Sequence, residues 1–174
     1  MGLDQYFYKC KRKNFEAYNK AIEEWQKDKP ASSKISNAEY DKLPKAEQEK
    51  IAKEVGEWYN KEPEMADNGI KEIGYFSKVN FLMSFFSYTG NCEFKEIAKC
   101  QLEDLVERCK EVLKTKKCRK ERAELLLPTQ SGFFFGRTSY DEYYYQDVKE
   151  VQEWVEGVLA NLKDDEVVLM YCWW

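Results

Sequence analysis

The stretch VVLMYCW at residues 167–173 decides the fold that this sequence predicts. It is a short apolar run with β-branched and aromatic side chains, a composition typical of a buried strand. Residues 2–11 (GLDQYFYKCK) form its counterpart, because aromatic and polar side chains alternate there with the two-residue period of a strand. Tyr6, Tyr8 and Cys10 share one face of this segment. The simplest arrangement pairs the two segments within a small sheet that is covered by helices.

Between these two strands the sequence has mainly helical periodicity. Apolar side chains recur at helical spacing over residues 15–25, 51–59, 102–113 and 144–162. A chain of 174 residues is long enough to bury one hydrophobic core. We therefore expect an α+β fold, in which a mostly helical single domain of residues 1–174 contains a small antiparallel sheet formed by the N- and C-terminal strands.

The most apolar segment is IGYFSKVNFLMSFFSY at residues 73–88. Its length without proline favours a buried helix over a strand. Asn80 and Ser84 would lie on one stripe of that helix, and the Thr-Gly-Asn sequence at residues 89–91 would end it.

Two motifs predict helix starts. Ser36 with Glu39, and Ser139 with Glu142, have the spacing of a capping box, in which the side chains of the first and fourth residues bond to each other's backbone N–H groups. The first box predicts one short helical turn that ends near Pro44. The second predicts the start of the longest helix.

The sequence contains no histidine. This absence excludes Ser-His-Asp and Cys-His catalysis, histidine general bases and metal sites that need imidazole. The six cysteines include no C-x-x-C pair, which also excludes zinc-knuckle and thioredoxin-like sites. We therefore expect no metal and no cofactor, and the composition favours a binding protein over an enzyme.

Several observations bear on location and partners. The opening MGLDQYFYKCKR lacks the apolar stretch of a signal peptide, and no apolar run approaches the ~18 residues of a membrane span. We expect a cytoplasmic protein with no membrane contact and with all six thiols reduced. The net charge of −4 gives no strong indication of nucleic-acid binding.

The candidate site is the segment LLLPTQSGFFFGRTSYDEYYYQD at residues 125–147. It combines turn residues, two glycines, three consecutive phenylalanines and an arginine, and it leads into the longest predicted helix. A helix N-terminus offers free N–H groups to an anion, and tyrosine rings can stack on a base or on an arginine. The candidate binding residues are Thr129, Ser131, Arg137, Tyr140, Tyr143 and Tyr144.

The same segment has other interpretations. Phe133 and Phe135 fit a buried strand or a hairpin edge, and carboxylates at Asp141 and Glu142 in the first helical turn would repel an anion. The segment also lacks the G-x-x-x-x-G-K-[ST] pattern of phosphate-binding loops. Structural packing, partner binding and a ligand pocket therefore all stay open.

Three pieces of the chain resemble a family of small phage and prophage proteins of unknown function. They are MGLDQYFYK at residues 1–9, IGYFSKVNFLMSFF at residues 73–86, and LPTQSGFFFGRTSYDEYYYQDV at residues 127–148. In the central piece this chain departs from the family pattern, because Phe76 and Ser77 replace a Trp-Arg pair and the family's histidine is missing. The resemblance implies a phage-type accessory protein in the cytoplasm of a bacterial host, with no established activity.

We therefore expect a protein that acts by binding a host or phage protein, as an inhibitor of a bacterial defence system would. The alternative is a small-molecule or nucleotide-binding protein, a sponge for a nucleotide-like ligand, that uses residues 129–145. A hydrolase that works through carboxylates and a metal ion is the third interpretation.

Overall fold

The computed structural model describes residues 2–90, 92–114 and 116–174. It confirms the α+β class, because more than half of the chain is helical and the strands form an antiparallel sheet. The chain divides into two compact units, one built from Met1–Arg12 and Lys71–Trp174 and the other from Lys13–Ile70. The expectation of a single domain over residues 1–174 stays a prediction.

The sheet lies in the first unit and has the strand order β2-β1-β4-β3. Its strands are β1 (Asp4–Lys11), β2 (Lys71–Ser77), β3 (Phe94–Ile97) and β4 (Glu166–Trp173). Strands β1 and β4 pair antiparallel over their whole length. The predicted pairing of the N- and C-terminal strands is therefore confirmed, and these two strands form the centre of the sheet.

The two faces of the sheet differ because side chains alternate along each strand. One face carries Phe7, Val168 and Met170, which are completely buried in the hydrophobic core. On the other face the Tyr6 ring contacts the Tyr75 ring on β2, with ring centroids 5.0 Å apart. The alternation predicted for the first strand is thus the alternation between core and outer face.

The single buried helix predicted for residues 73–88 is wrong. The segment contains the second half of β2, and then the short helix α4 (Phe81–Phe85). The chain turns between them at Lys78, whose φ is 62° and whose N–H donates to the Leu3 carbonyl at 2.7 Å. Pairing with β1 satisfies the backbone of the first half, and this long-range gain outweighs the local helical pattern. Asn91, in the predicted stop, lies outside the described residues.

Helices cover the core face of the sheet. Helix α5 (Lys99–Leu113) and helix α7 (Glu142–Asn161) agree with the predicted stripes, and they bury Leu102, Leu105, Val106, Cys109, Val112, Tyr144, Tyr145, Val148, Val151 and Val155. Helix α6 (Arg119–Leu126) was not predicted, because its sequence is highly charged and Ala123 is its one buried residue. The strand β3 also escaped prediction, since it has only four residues.

Burial gives Cys109 the role expected of a small hydrophobic residue. Its side chain is fully enclosed between the helices, and burial raises the pKa of its thiol to about 12, with a smaller contribution from Glu156. Cys172 on β4 is equally buried, and burial raises its pKa to about 12 as well. The reduced state of all six thiols stays a prediction.

The second unit is helical. It contains most of α1 (Arg12–Lys27), then α2 (Asn37–Tyr40) and α3 (Lys45–Tyr59). The Trp25 and Trp58 rings stack with centroids 4.0 Å apart, and each indole N–H donates to the backbone carbonyl of the other tryptophan, at 2.8 and 3.0 Å. This reciprocal pair fixes α1 against α3.

The predicted first capping box is present at the start of α2. The Ser36 hydroxyl accepts from the Glu39 N–H, and the Glu39 carboxylate accepts from the Ser36 N–H. The Ser36 hydroxyl also donates to the Glu39 carboxylate at 2.7 Å, and this bond together with that from the Ser36 N–H lowers the pKa of Glu39. Among the described residues, no helix combines the length and the apolar character that crossing a bilayer requires.

Candidate functional site

The candidate site centres on residues 128–140, here called the glycine–phenylalanine loop. A buried side chain from outside the loop holds its backbone: the Asn80 amide donates to the carbonyls of Phe135, at 3.1 Å, and Arg137, at 2.8 Å. The Gln130 N–H donates back to the Asn80 side-chain oxygen at 3.3 Å. Asn80 is only 3% exposed, so these bonds replace water as the partners of its amide.

Two further contacts hold the same loop. The Leu3 N–H donates to the Phe134 carbonyl at 2.9 Å, which ties the loop to the start of the chain. Between the two ends of the loop, the Thr129 N–H donates to the Tyr140 hydroxyl at 3.1 Å. The loop is therefore fixed at several points along its length, although it has no regular secondary structure.

The three consecutive phenylalanines of the loop have different environments. Phe135 is 7% exposed and belongs to the core, whereas Phe133 is 95% exposed. Phe134 is half-buried, and its ring lies nearly perpendicular to that of Phe133 with centroids 4.8 Å apart. The loop therefore anchors itself through Phe135 and presents Phe133 to solvent.

A cavity of about 390 Å³ lies beside this loop, at the start of α7 and at the turn between β2 and α4. We call it the loop pocket. Both charge signs and several aromatic rings line it, through residues that include Lys78, Asn80, Phe81, Arg137, Tyr143 and Asp147.

Lys78 enters the loop pocket in an unusual conformation. Its positive φ is disfavoured for a residue with a side chain. The aliphatic part of its side chain lies directly against Gly2 and Gly136. A Cβ atom on Gly2 would lie 2.7 Å from the Lys78 Cε, and one on Gly136 would lie 3.0 Å from the Lys78 Cβ. Gly136 itself has a φ of 84°. The two glycines therefore provide the space that this lysine occupies.

Asp141, not Ser139, caps α7, so the second predicted capping box is wrong. The Asp141 carboxylate accepts from the N–H groups of Tyr143 and Tyr144, both at 3.1 Å, while the Ser139 hydroxyl donates to Asp141 at 2.9 Å. A charged oxygen is the stronger acceptor at the positive end of a helix. The bonds from Tyr144 and Ser139 lower the pKa of Asp141.

Arg137 lies above this cap. Its guanidinium is 4.6 Å from the centroid of the Tyr143 ring and 3.7 Å from the Asp141 carboxylate. Both neighbours belong to the first turn of α7 or to its cap. The guanidinium is thereby oriented by a ring and by a charge, and its side chain is still 68% exposed.

Asp147 is the second carboxylate of the loop pocket. It lies on α7 beyond the tyrosines and is half-buried. Burial raises its pKa to about 6, the carboxylates of Glu150 and Asp141 add to the rise, and Arg137 opposes it. Asp147 therefore carries a negative charge at neutral pH at a cost to stability.

Three of the six predicted binding residues line the loop pocket: Arg137, Tyr143 and Tyr144. Tyr144 is buried, and its hydroxyl donates to the Leu127 carbonyl at 2.7 Å, so its ring forms part of the wall of the loop pocket. Thr129 and Tyr140 are hydrogen-bonded to each other and join the two ends of the glycine–phenylalanine loop. Ser131 is exposed on the loop and does not line the loop pocket. A binding role for these residues stays a prediction.

Sequence reasoning missed Lys78 and Asn80 as site residues. Lys78 and Asn80 were assigned to a buried helix, which concealed the turn that brings them to the loop. Asn80 did carry a signal, because an amide within the most apolar segment must find hydrogen-bond partners when it is buried. Asp147 lies at the end of the predicted segment, but it was not among the candidate binding residues because acidic residues on helices usually face solvent.

Comparison of the chain with family models, with curated proteins and with solved structures finds no match. Within the described part of the chain, no group of three or more cysteine or acidic side chains is arranged to hold a metal ion. The chemistry of the site therefore has to be inferred from its own residues.

The raised pKa of Asp147 leads to a pH-dependent prediction. The folded pKa of about 6 exceeds the ordinary value of 3.8, so this group lowers the stability of the protein as pH rises from 4 through 6. Asp147→Asn cannot ionise. We expect it to raise the free energy of unfolding by about 1.5 kcal/mol at pH 7.5, after allowance for solvent screening, and to change it little at pH 4. Urea denaturation at the two pH values measures the difference. Equal gains at both would attribute the effect to packing and not to charge.

Proposed function

We propose that this chain is a phage-type accessory protein that acts by binding a host or phage protein, such as a component of a bacterial defence system, in the bacterial cytoplasm. The observation that carries the proposal is Phe133, a phenylalanine 95% exposed at the tip of a loop that is otherwise fixed. The resemblance to small phage proteins supports the phage origin, and its longest piece, residues 127–148, contains this loop.

The loop is suited to binding because its conformation is already set. Asn80 and Leu3 hold its backbone, so little conformational entropy remains to be lost when a partner docks. Burial of the Phe133 ring alone would contribute about 1.5–3 kcal/mol. The contacts that fix the loop therefore also keep the Phe133 ring exposed and available to a partner.

The neighbourhood of Phe133 along the chain has the composition of an interface. Arg137 and Tyr143 are both exposed, and arginine and tyrosine are enriched among the residues that contribute most to binding. A partner that covers these side chains would also replace water around a guanidinium that is already oriented by Tyr143. We therefore propose Phe133 as the anchor of the partner surface, and Arg137 and Tyr143, which follow it in the same segment, as further contact residues.

The test compares Phe133→Ser with the parent protein. Each is used to capture proteins from lysate of phage-infected bacteria, and the affinity of a protein captured by the parent is then measured with purified components. We expect Phe133→Ser to weaken binding about 30-fold, equivalent to ~2 kcal/mol, with an unchanged melting temperature because the ring makes few internal contacts.

Tyr59→Ser provides the matched control. Tyr59 is a second aromatic residue with high exposure, at 56%, and it lies on α3, outside the glycine–phenylalanine loop. Its loss should leave the affinity within about twofold, as is usual for a surface residue outside a contact. If Phe133→Ser binds as tightly as the control, the glycine–phenylalanine loop is not the partner surface.

A further inference from the structure

The loop pocket has functional groups that the protein does not use for its own structure. Asn80, Asp141 and the Tyr144 hydroxyl are all engaged in internal hydrogen bonds. The Lys78 ammonium and the Asp147 carboxylate are different. Within residues 2–90, 92–114 and 116–174, neither group forms a hydrogen bond or an ion pair. These two side chains are therefore available to a ligand.

The two cationic side chains that line the loop pocket, Lys78 and Arg137, suit a phosphate group. Lys78 is held there in a strained backbone conformation, and such strain persists where the surrounding structure imposes it, commonly at functional sites. Arg137 lines the same pocket, with its guanidinium 4.6 Å from the Tyr143 ring centroid and 3.7 Å from the Asp141 carboxylate, and its side chain is 68% exposed. An ammonium together with a guanidinium edge is a common combination for phosphate recognition.

The carboxylates that line the loop pocket restrict the ligand further. Asp141 is already engaged by the α7 N–H groups and Arg137, whereas Asp147 would repel a bare phosphate, so a ligand that fills the pocket needs hydrogen-bond donors for Asp147. The exposed Tyr143 ring lines the same cavity, where a flat ring system can lie against it. The volume of about 390 Å³ lies within the range for small-molecule sites.

A carboxylate has two oxygens side by side and accepts best from two parallel N–H groups. Guanine presents two adjacent donors on its Watson–Crick edge, whereas adenine presents a donor beside an acceptor. We propose that the loop pocket binds a guanine nucleoside monophosphate, with its phosphate at Lys78 and Arg137 and its base at Asp147. This inference rests on the loop pocket and does not depend on Phe133 or on a protein partner.

Isothermal titration calorimetry on the full chain tests the proposal with four probes: GMP, AMP, guanosine and inorganic phosphate. We expect GMP to bind in the micromolar range, and the other three to bind at least tenfold more weakly because each lacks part of the complementarity. Lys78→Gln should weaken GMP at least tenfold and leave guanosine unchanged. Asp147→Asn should remove the preference for GMP over AMP, and Asp147→Ser provides a second variant for the same measurement.

Lys149→Gln is the matched control, because Lys149 lies on the same helix as Asp147 but does not line the loop pocket. It should bind GMP like the parent. Absence of GMP binding at 1 mM would overturn the proposal. If inorganic phosphate binds as tightly as GMP, the loop pocket is only an anion site and the proposal is wrong. If AMP binds as tightly as GMP, the proposed contact between Asp147 and guanine is wrong. GMP binding that survives Phe133→Ser would show that the loop pocket does not need the proposed Phe133 anchor.

Discussion

Asn80→Ala is expected to lower the free energy of unfolding by about 3 kcal/mol and to release the glycine–phenylalanine loop. The Asn80 amide donates to two loop carbonyls, those of Phe135 and Arg137, and it also accepts from Gln130. Alanine leaves these backbone groups without their protein partner, and the bond to the Phe135 carbonyl is buried while those at Arg137 and Gln130 are partly buried. Each unsatisfied buried group costs roughly 1–3 kcal/mol.

Urea denaturation measures the loss, and hydrogen exchange of the loop amides reports its release. Asn161→Ala is the matched control, because the Asn161 amide also donates to a backbone carbonyl, that of Gly157 at 2.9 Å, but on an exposed surface. Water can replace that bond, so the control should lose less than about 0.5 kcal/mol. A similarly small loss for Asn80→Ala would contradict its role in fixing the loop.

Gly74→Ala is expected to destabilise the first unit by about 3 kcal/mol. Gly74 lies on β2 directly against Trp154 of α7, and a Cβ atom there would lie 2.5 Å from the indole nitrogen. The ring would have to move. It would then lose its hydrogen bond to the Ile73 carbonyl, at 2.6 Å, and its packing against Phe7, at 4.5 Å between ring centroids. Overpacking alone typically costs 1–3 kcal/mol, to which the lost bond adds.

Gly157→Ala is the control on the same helix as Trp154. A Cβ atom at Gly157 meets nothing within 4 Å, so alanine there should raise the free energy of unfolding by about 0.5–1 kcal/mol. The two glycine variants are thus predicted to act in opposite directions in one denaturation experiment. An unchanged stability and unchanged tryptophan fluorescence for Gly74→Ala would show that the indole does not lie against the strand.

The parts of the fold that the sequence predicts correctly are those with a single dominant pattern. The alternation in residues 2–11 and the apolar run at residues 167–173 identify two strands, and the wide apolar stripes of α5 and α7 identify two helices. Residues 73–88 were mispredicted because most of their side chains are apolar, and a largely apolar run fits a buried strand and a buried helix equally well. In this segment Gly74, which allows the close approach of Trp154, marks the strand.

The candidate site was located by its local composition, but its outline depends on long-range contacts. Arg137 and Tyr143 were identified because they lie in the segment whose turns and rings make it unusual. Lys78 and Asn80 lie more than 50 residues earlier in the chain, and only the pairing of β2 with β1 brings their turn beside the loop. No pattern in a single sequence contains that information.

The position of β1 and β4 at the centre of the sheet determines how the chain must fold. The residues that pair there are about 155 to 169 positions apart, so the innermost ladder of the sheet is also its most distant contact in sequence. Closing such a large loop costs entropy before any pairing compensates for it, and a high contact order slows folding. Contacts within Lys13–Ile70, by contrast, join residues much closer in sequence, and closing their loops costs less entropy. During synthesis one edge of β1 can pair with β2 as soon as residues 71–77 are made, but its other edge stays unpaired until residues 166–173 follow.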